Sequence, residues 1–220
     1  KESGSEYANC ISVSGGDEEV GIGRVNPLGN GLMFDFSYDI SQGLLSDELV
    51  TRLGLWKAKF QEQEPLYITA QRAYIDALEA LTVASTAKDD TMIVLRSAEE
   101  SKRIADFGNS ASLKATANSN LATAQGNYNA AVAAYNAAVV TLNNKISDIT
   151  NIQNLVQFDV FLTTDALLIE LSRIVKMATY KDEFIIVTES MTNDEKLDEM
   201  VILYDKTKRL LQGGVLEGIC

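Results

Sequence analysis

The chain has 220 residues, a formal net charge of −12, 46% hydrophobic and 7% aromatic residues, two Pro, two Cys and no His. This is a globular composition, long enough for one large domain or two small ones, and neither collagenous, disordered nor disulfide-rich. Its acidity without a basic run argues against a nucleic-acid partner, and the absence of His excludes Ser-His-Asp, Cys-His and His-based zinc chemistry.

Residues 1–45 read as strand and turn. Cys10-Ile-Ser-Val alternates, GGDEEVGIG is turn-rich, and Gly29-Asn-Gly precedes the alternating Leu32-Met-Phe-Asp-Phe-Ser-Tyr; three short strands are expected. Ser46 is a good N-cap, Asp47 and Glu48 suit a first turn, and Leu49, Leu53, Trp56 and Phe60 recur at helical spacing, which predicts a helix to about Glu64. Pro65 lacks the amide proton of a helix interior, so it either breaks that helix or opens the next one.

From Asn109 to Leu155 the chain is dominated by Ala, Asn, Thr and Ser, with only Lys114, Lys145 and Asp148 charged. Its larger residues keep steps of three or four through Leu121, Ala124, Tyr128, Val132, Tyr135, Val139, Leu142, Ile146 and Ile149, a coiled-coil seam. Tyr67, Ala70, Tyr74, Ala77, Leu81 and Ala84 supply the partner stripe. Asp106-Phe-Gly-Asn-Ser reads as a helix stop followed by a new N-cap, so the two arms are antiparallel neighbours. The β-branched and cap-type residues of Ser85–Thr91 mark a place where the first arm kinks or loosens. Arms of about 43 residues would make a rod on the order of 65 Å long.

Beyond the arms, Phe158–Leu162 is strand-like, Thr164 caps an amphipathic helix, and Lys181–Val187 reads as a short strand. Thr192 and Glu195 have capping-box spacing ahead of a helix buried along Leu197, Val201, Tyr204 and Leu210, running to about Gln212 and ended by Gly213-Gly214. The expected fold is therefore α+β and mostly α: a small α/β base with a long projecting antiparallel helical hairpin. Its segments are 1–64 (β-rich lead-in and first base helix), 65–155 (coiled-coil hairpin) and 156–220 (mixed α/β return).

Candidate chemistry is sparse. Gly21-Ile-Gly23 is followed by Val25-Asn-Pro rather than by the helix a phosphate loop needs. The carboxylate pairs Asp89-Asp90, Asp17-Glu18-Glu19 and Asp194-Glu195 lack EF-hand spacing and read as solvated faces. Cys10 and Cys220 form no CxxC pair and read as inert thiols. No catalytic, cofactor-binding or metal-ligating residue is assigned, and no cofactor is expected. A run long and apolar enough to span a membrane is absent, and the start without Met suggests an excised fragment.

Asn9-Cys-Ile-Ser-Val-Ser-Gly-Gly-Asp, Val25-Asn-Pro-Leu-Gly-Asn-Gly and Phe34-Asp-Phe-Ser-Tyr resemble a segment of the tail-associated, tail-endopeptidase-like minor structural proteins at the tail tip of long-tailed phages and prophages of Gram-positive bacteria. Leu168-Ile-Glu-Leu-Ser-Arg-Ile-Val, Thr179-Tyr-Lys-Asp-Glu-Phe, Met191-Thr-Asn-Asp-Glu-Lys and Leu203-Tyr-Asp-Lys-Thr-Lys-Arg-Leu-Leu are similar to the next segment of that family. The likeness covers about 120 residues in two blocks flanking the hairpin; its motifs are short and ordered, and none is catalytic. It implies a structural, non-catalytic part of a virion tail tip, expressed from phage or prophage genes in the host cytoplasm. Other tail-tip or baseplate subunits, a homotrimeric arrangement and the host cell surface are the implied partners.

The alternative is a bacterial surface or secreted adhesin fragment using the hairpin as a spacer. A third class, a carboxylate-only enzyme such as a glycosidase, needs two acids converging in a cleft, which hairpin arms do not build. The lead-in Cys10–Val13 and the exit Val215–Cys220 are expected to continue into one neighbouring domain, making the module an insertion.

Overall fold

A computed structural model describes residues 8–16, 21–185 and 187–212. The elements in chain order are β1 (Cys10–Gly15), a single 3-10 turn (Ile22–Arg24), β2 (Leu32–Phe34), α1 (Ser37–Ser41), α2 (Asp47–Phe107), α3 (Ala111–Leu155), α4 (Phe158–Phe161), α5 (Asp165–Ile174), β3 (Met177–Asp182) and α6 (Asn193–Gln212). The fold is α+β and mostly α, with one three-stranded sheet and a long α2–α3 helix pair packed together. The chain divides into two compact units. One runs to Arg72 and resumes at Ser147, and the other is Ala73–Ile146.

In the first unit β1 is the central strand, between β2 and β3. It pairs antiparallel with β2 (Ile11 opposite Met33) and parallel with β3 (Cys10 opposite Met177, Gly15 opposite Asp182). Being flanked on both edges explains why Cys10, Ile11 and Val13 are all buried. The lead-in thus holds two strands among its described residues, not three, because the third partner arrives from beyond the helix pair. Asp35 ends β2 by accepting the Ser37 N–H (2.9 Å), which turns the chain into α1 where alternation predicts more strand.

Asn9 fastens the start of β1. Its Nδ2 donates to Asp39 Oδ2 (2.9 Å) and to the Ile174 carbonyl (2.9 Å), while its Oδ1 accepts the Lys176 N–H (2.7 Å). One buried side chain therefore ties β1, α1 and the α5–β3 junction together. The apolar core beside it gathers Phe36, Leu45, Leu49, Leu53, Trp56, Leu162, Leu167 and Leu171. Ser46 caps α2 as expected, its Oγ accepting the Leu49 N–H (3.3 Å), and also donates to Glu170 Oε2 (2.8 Å).

Pro65 neither breaks α2 nor opens a new helix; it lies inside one uninterrupted helix. The carbonyl it deprives of a donor, four residues back at Gln61, is on an exposed residue that water can reach, and Pro65 is itself exposed. Burial of Leu53 and Trp56 before it and Tyr67 after it outweighs a local cost of about 3 kcal/mol. The helix also runs unbroken through Ser85–Thr91. There the hydroxyls of Thr86 and Thr91 donate back to the carbonyls of Thr82 (3.1 Å) and Ala87 (2.9 Å), so the polar groups are satisfied within the helix.

Two further expectations are corrected. Phe158–Phe161 is a helical turn rather than a strand, because Phe158 stacks on Trp56 with ring centroids 4.5 Å apart. The strand expected at Lys181–Val187 instead spans Met177–Asp182 and pairs with β1. It ends where Asp182 accepts the Phe184 N–H (3.0 Å), and Phe184 is exposed. The Thr192–Glu195 capping box is formed: Thr192 N–H donates to Glu195 Oε2 (2.7 Å), and Glu195 N–H to Thr192 Oγ1 (3.3 Å). Buried on α6 are Leu197, Met200, Leu203, Tyr204 and Thr207, whereas Val201 and Leu210 are half-buried. The expected Gly213-Gly214 stop and the exit Val215–Cys220 lie outside the described residues.

In the second unit the less exposed positions of α2 include Tyr74, Ala77, Leu81, Ala84, Lys88, Thr91, Leu95, Ala98, Lys102 and Ala105. Those of α3 include Lys114, Ala117, Leu121, Ala124, Tyr128, Ala131, Tyr135, Ala138, Leu142 and Lys145. Both stripes alternate steps of three and four without a slip, the repeat of a coiled coil. Ala recurs mostly at every second stripe position, with larger side chains between. The expected drift of the α3 stripe onto Ile146 is corrected: Ile146 is 45% exposed and the half-buried place belongs to Lys145. Lys88 Nζ sits 4.3 Å from the Tyr135 ring centroid, a cation–π contact across the two arms. Gly108, Asn109 and Ser110 join the arms, and Ser110 Oγ accepts the Leu113 N–H (3.3 Å), the N-cap the sequence predicts.

Candidate functional site

The first unit contains a mostly apolar pocket of about 120 Å³. Phe34, Phe36, Leu53, Trp56, Phe60 and Leu211 line it, with Lys57, Gln61, Glu64, Tyr204 and Lys208 as its principal polar neighbours. Three distant stretches build it: the β2–α1 corner, about three turns of α2 on one face, and the end of α6. Helical spacing accounts for the α2 contribution, since Leu53, Trp56, Phe60 and Glu64 follow one another at three or four residues.

Trp56 is fixed on both its polar and apolar sides. Its Nε1 donates to the Val156 carbonyl (2.9 Å), while its ring stacks on Phe158 and lies 5.3 Å from Phe60. A buried indole with its one donor satisfied is a rigid wall.

The polar members form one cluster. Lys208 Nζ donates to both Glu64 oxygens at 2.7 Å, and the Tyr204 hydroxyl bonds to the same carboxylate. Burial, and then the Glu64 charge, push the Tyr204 phenol well above its usual value, so it stays protonated and serves as a donor. Glu64 is 9% exposed and Tyr204 1%, whereas the Lys208 side chain is 35% exposed, so this is a half-buried ion pair completed by a third hydrogen bond. The carboxylate is engaged by both neighbours, so the arrangement holds shape and charge balance and presents no nucleophile beside a free base.

A second polar knot joins α2, α3 and the 3-10 turn. Gln153 Nε2 donates to Tyr67 Oη (2.9 Å), and the Tyr67 hydroxyl donates to the Gly23 carbonyl (3.4 Å). Gly29 has φ +73°, a backbone conformation that favours glycine, and any side chain there would also displace the amide end of Gln153. This is where the Gly21–Gly23 stretch ends up: a 3-10 turn pinned to Tyr67, with no anion-binding helix after it.

The other residues weighed from sequence do not converge. Asp89 and Asp90 are exposed on α2, with Lys88 beside Asp89 at 3.8 Å. Glu195 is occupied in the α6 cap, whose Thr192 backbone and hydroxyl bonds hold its carboxyl below the usual range. Asp17, Glu18 and Glu19 lie outside the described residues. Cys10 is a buried free thiol, pushed up to about 11 by desolvation. Among the described residues no three His, Cys, Asp or Glu side chains gather as a metal site, and no helix is long and apolar enough to cross a membrane. The pocket had no sequence signal, because its walls come from three stretches that only the sheet and the α2–α6 pairing bring together. No family model, curated protein or solved structure matches this chain.

Proposed function

We propose that this chain is a structural, non-catalytic module of a phage or prophage tail-tip protein, contributing to tail-tip assembly and host-surface contact. The observation that carries the reading is the α2–α3 pair, whose unbroken heptad stripes dominate the molecule and bring no acid, base or nucleophile into a shared cleft. Such a stripe packs knobs into holes along both helices and makes an extended spacer. The resemblance of the flanking blocks to tail-tip proteins supplies the setting, with other tail-tip or baseplate subunits as partners. The Glu64–Tyr204–Lys208 cluster serves this role as a brace between α2 and α6.

Immunogold labelling tests it. Antibody raised against the chain is expected to decorate the tail tips of virions induced from the source strain. Label confined to the bacterial wall, with bare virions, would overturn the reading in favour of the adhesin.

A further inference from the structure

The two arms of the second unit differ in one respect that their shared stripe does not explain. On α2 the exposed residues include Asp76, Glu79, Asp89, Asp90, Arg96, Glu99, Glu100, Arg103 and Asp106. On α3, from Ala111 to Ser147, no exposed residue is charged; the two lysines of that stretch, Lys114 and Lys145, both lie half-buried on the stripe toward α2. Ordinary solvated helix faces are laced with charge. We propose that the exposed face of α3 is the surface on which a second copy of this chain docks, forming a two-fold dimer.

Charge distribution selects that occupant. The chain carries −12 overall, and its other exposed helix faces bear charges at short intervals, so two copies approaching by those faces repel each other or must desolvate ions. The α3 face imposes neither ionic cost, and its exposed Asn, Gln, Ser and Thr side chains, among them Asn118, Asn129 and Asn136, carry donors and acceptors that pair across the two-fold. It also offers no charge by which a basic or acidic partner would be chosen, and a second copy of the same face supplies a surface equally free of charge.

Area agrees. About 36 residues at 1.5 Å give a strip about 54 Å long. At about 10 Å wide, two such strips bury about 1,100 Å², above the roughly 1,000 Å² a specific interface needs. Ser119, Gly126, Ala133 and Val140 fall every seven residues along the centre of the face, all exposed, and nothing stands within 4 Å of the space a Gly126 side chain would take. An antiparallel two-fold centred between Asn129 and Ala130 sets Gly126 against Ala133 and Ser119 against Val140, and covers Val140, now 59% exposed. The inference stands independently of the tail-tip reading, since it concerns what this face binds and not where the chain resides.

Sedimentation equilibrium of the whole chain under reducing conditions tests it, from 1 to 100 µM. The expected mass rises toward twice 24.0 kDa. Ala133→Glu should weaken association at least tenfold with an unchanged helical circular dichroism spectrum, while Val83→Glu, on an exposed α2 position, should leave it intact. Association of the unaltered chain should also persist in 0.5 M NaCl, because no ion pair holds it. A mass of 24.0 kDa throughout, a dimer that Ala133→Glu does not weaken, or one that salt dissociates would each overturn the proposal.

Discussion

In the unit built around Trp56 each stabilising contact occurs once, whereas between Ala73 and Ile146 one kind of contact is repeated along two helices. Asn9 joins three segments separated by up to 167 residues, and Trp56 reaches 100 residues along the chain for its hydrogen bond. The Lys88–Tyr135 contact, by contrast, sits in a stripe whose neighbours up and down have the same chemistry. The difference teaches where each unit is vulnerable: single substitutions should break the first, while the second should lose stability in proportion to the local misfit and keep its register.

The sharpest way to break that comparison is Trp56→Ala, which removes the wall of the pocket and orphans the Val156 carbonyl. We expect a loss of about 3–5 kcal/mol in urea unfolding, with amide-exchange protection lost across the first unit and retained between Ala73 and Ile146. Equal loss in both units would show that the contrast is false. Next in size is Ala124→Leu, at a stripe position only 4% exposed; overpacking there should cost about 1–3 kcal/mol and lower the thermal midpoint, and an unchanged midpoint would refute the stripe as described.

Ser46→Ala should cost about 1 kcal/mol, since the hydroxyl both caps α2 and donates to Glu170; a variant as stable as the parent in the same urea titration would show the cap to be idle. The smallest effect concerns acid. At Asp182 burial alone would raise the carboxyl, but hydrogen bonds from Lys206 and the Phe184 N–H prevail and hold it below its usual value. A depressed carboxyl stabilises above its unfolded value and that contribution disappears as pH falls through the folded one. Between pH 5 and pH 2 the parent should therefore lose more stability than Asp182→Asn; parallel curves would remove Asp182 from the list of pH-linked groups.

The repeated region was legible from sequence, and the singular one only in pieces. The stripe through Tyr67, Ala70, Tyr74, Ala77, Leu81 and Ala84 is a local period, and it continues unchanged to Ala105. The Ser46, Ser110, Thr164 and Thr192 caps were legible for the same reason, each depending on residues within a turn. Pro65 misled because a local rule was overridden by packing of Trp56 and Tyr67 on either side. Phe158–Phe161 misled because alternating aromatics suit a strand as well as a turn pressed against an indole. The parallel pairing of β1 with β3 and the pocket were invisible, since both depend on which distant segments meet.

A stripe of alternating alanines and larger residues is nearly periodic, so sliding one helix by seven residues presents almost the same surface. The four lysines in the stripes, Lys88 and Lys102 on α2, Lys114 and Lys145 on α3, are unevenly spaced and spoil that translational symmetry. Lys88 meets the Tyr135 ring, and a shift of seven residues would set it level with Tyr128 in one direction or Leu142 in the other, so the lysines bias an alignment that the three-residue Gly108–Ser110 connection fixes. These lysines act as punctuation in a repetitive text, and neutralising them should loosen the fit at their own stripe positions while the short Gly108–Ser110 connection holds the two helices in register.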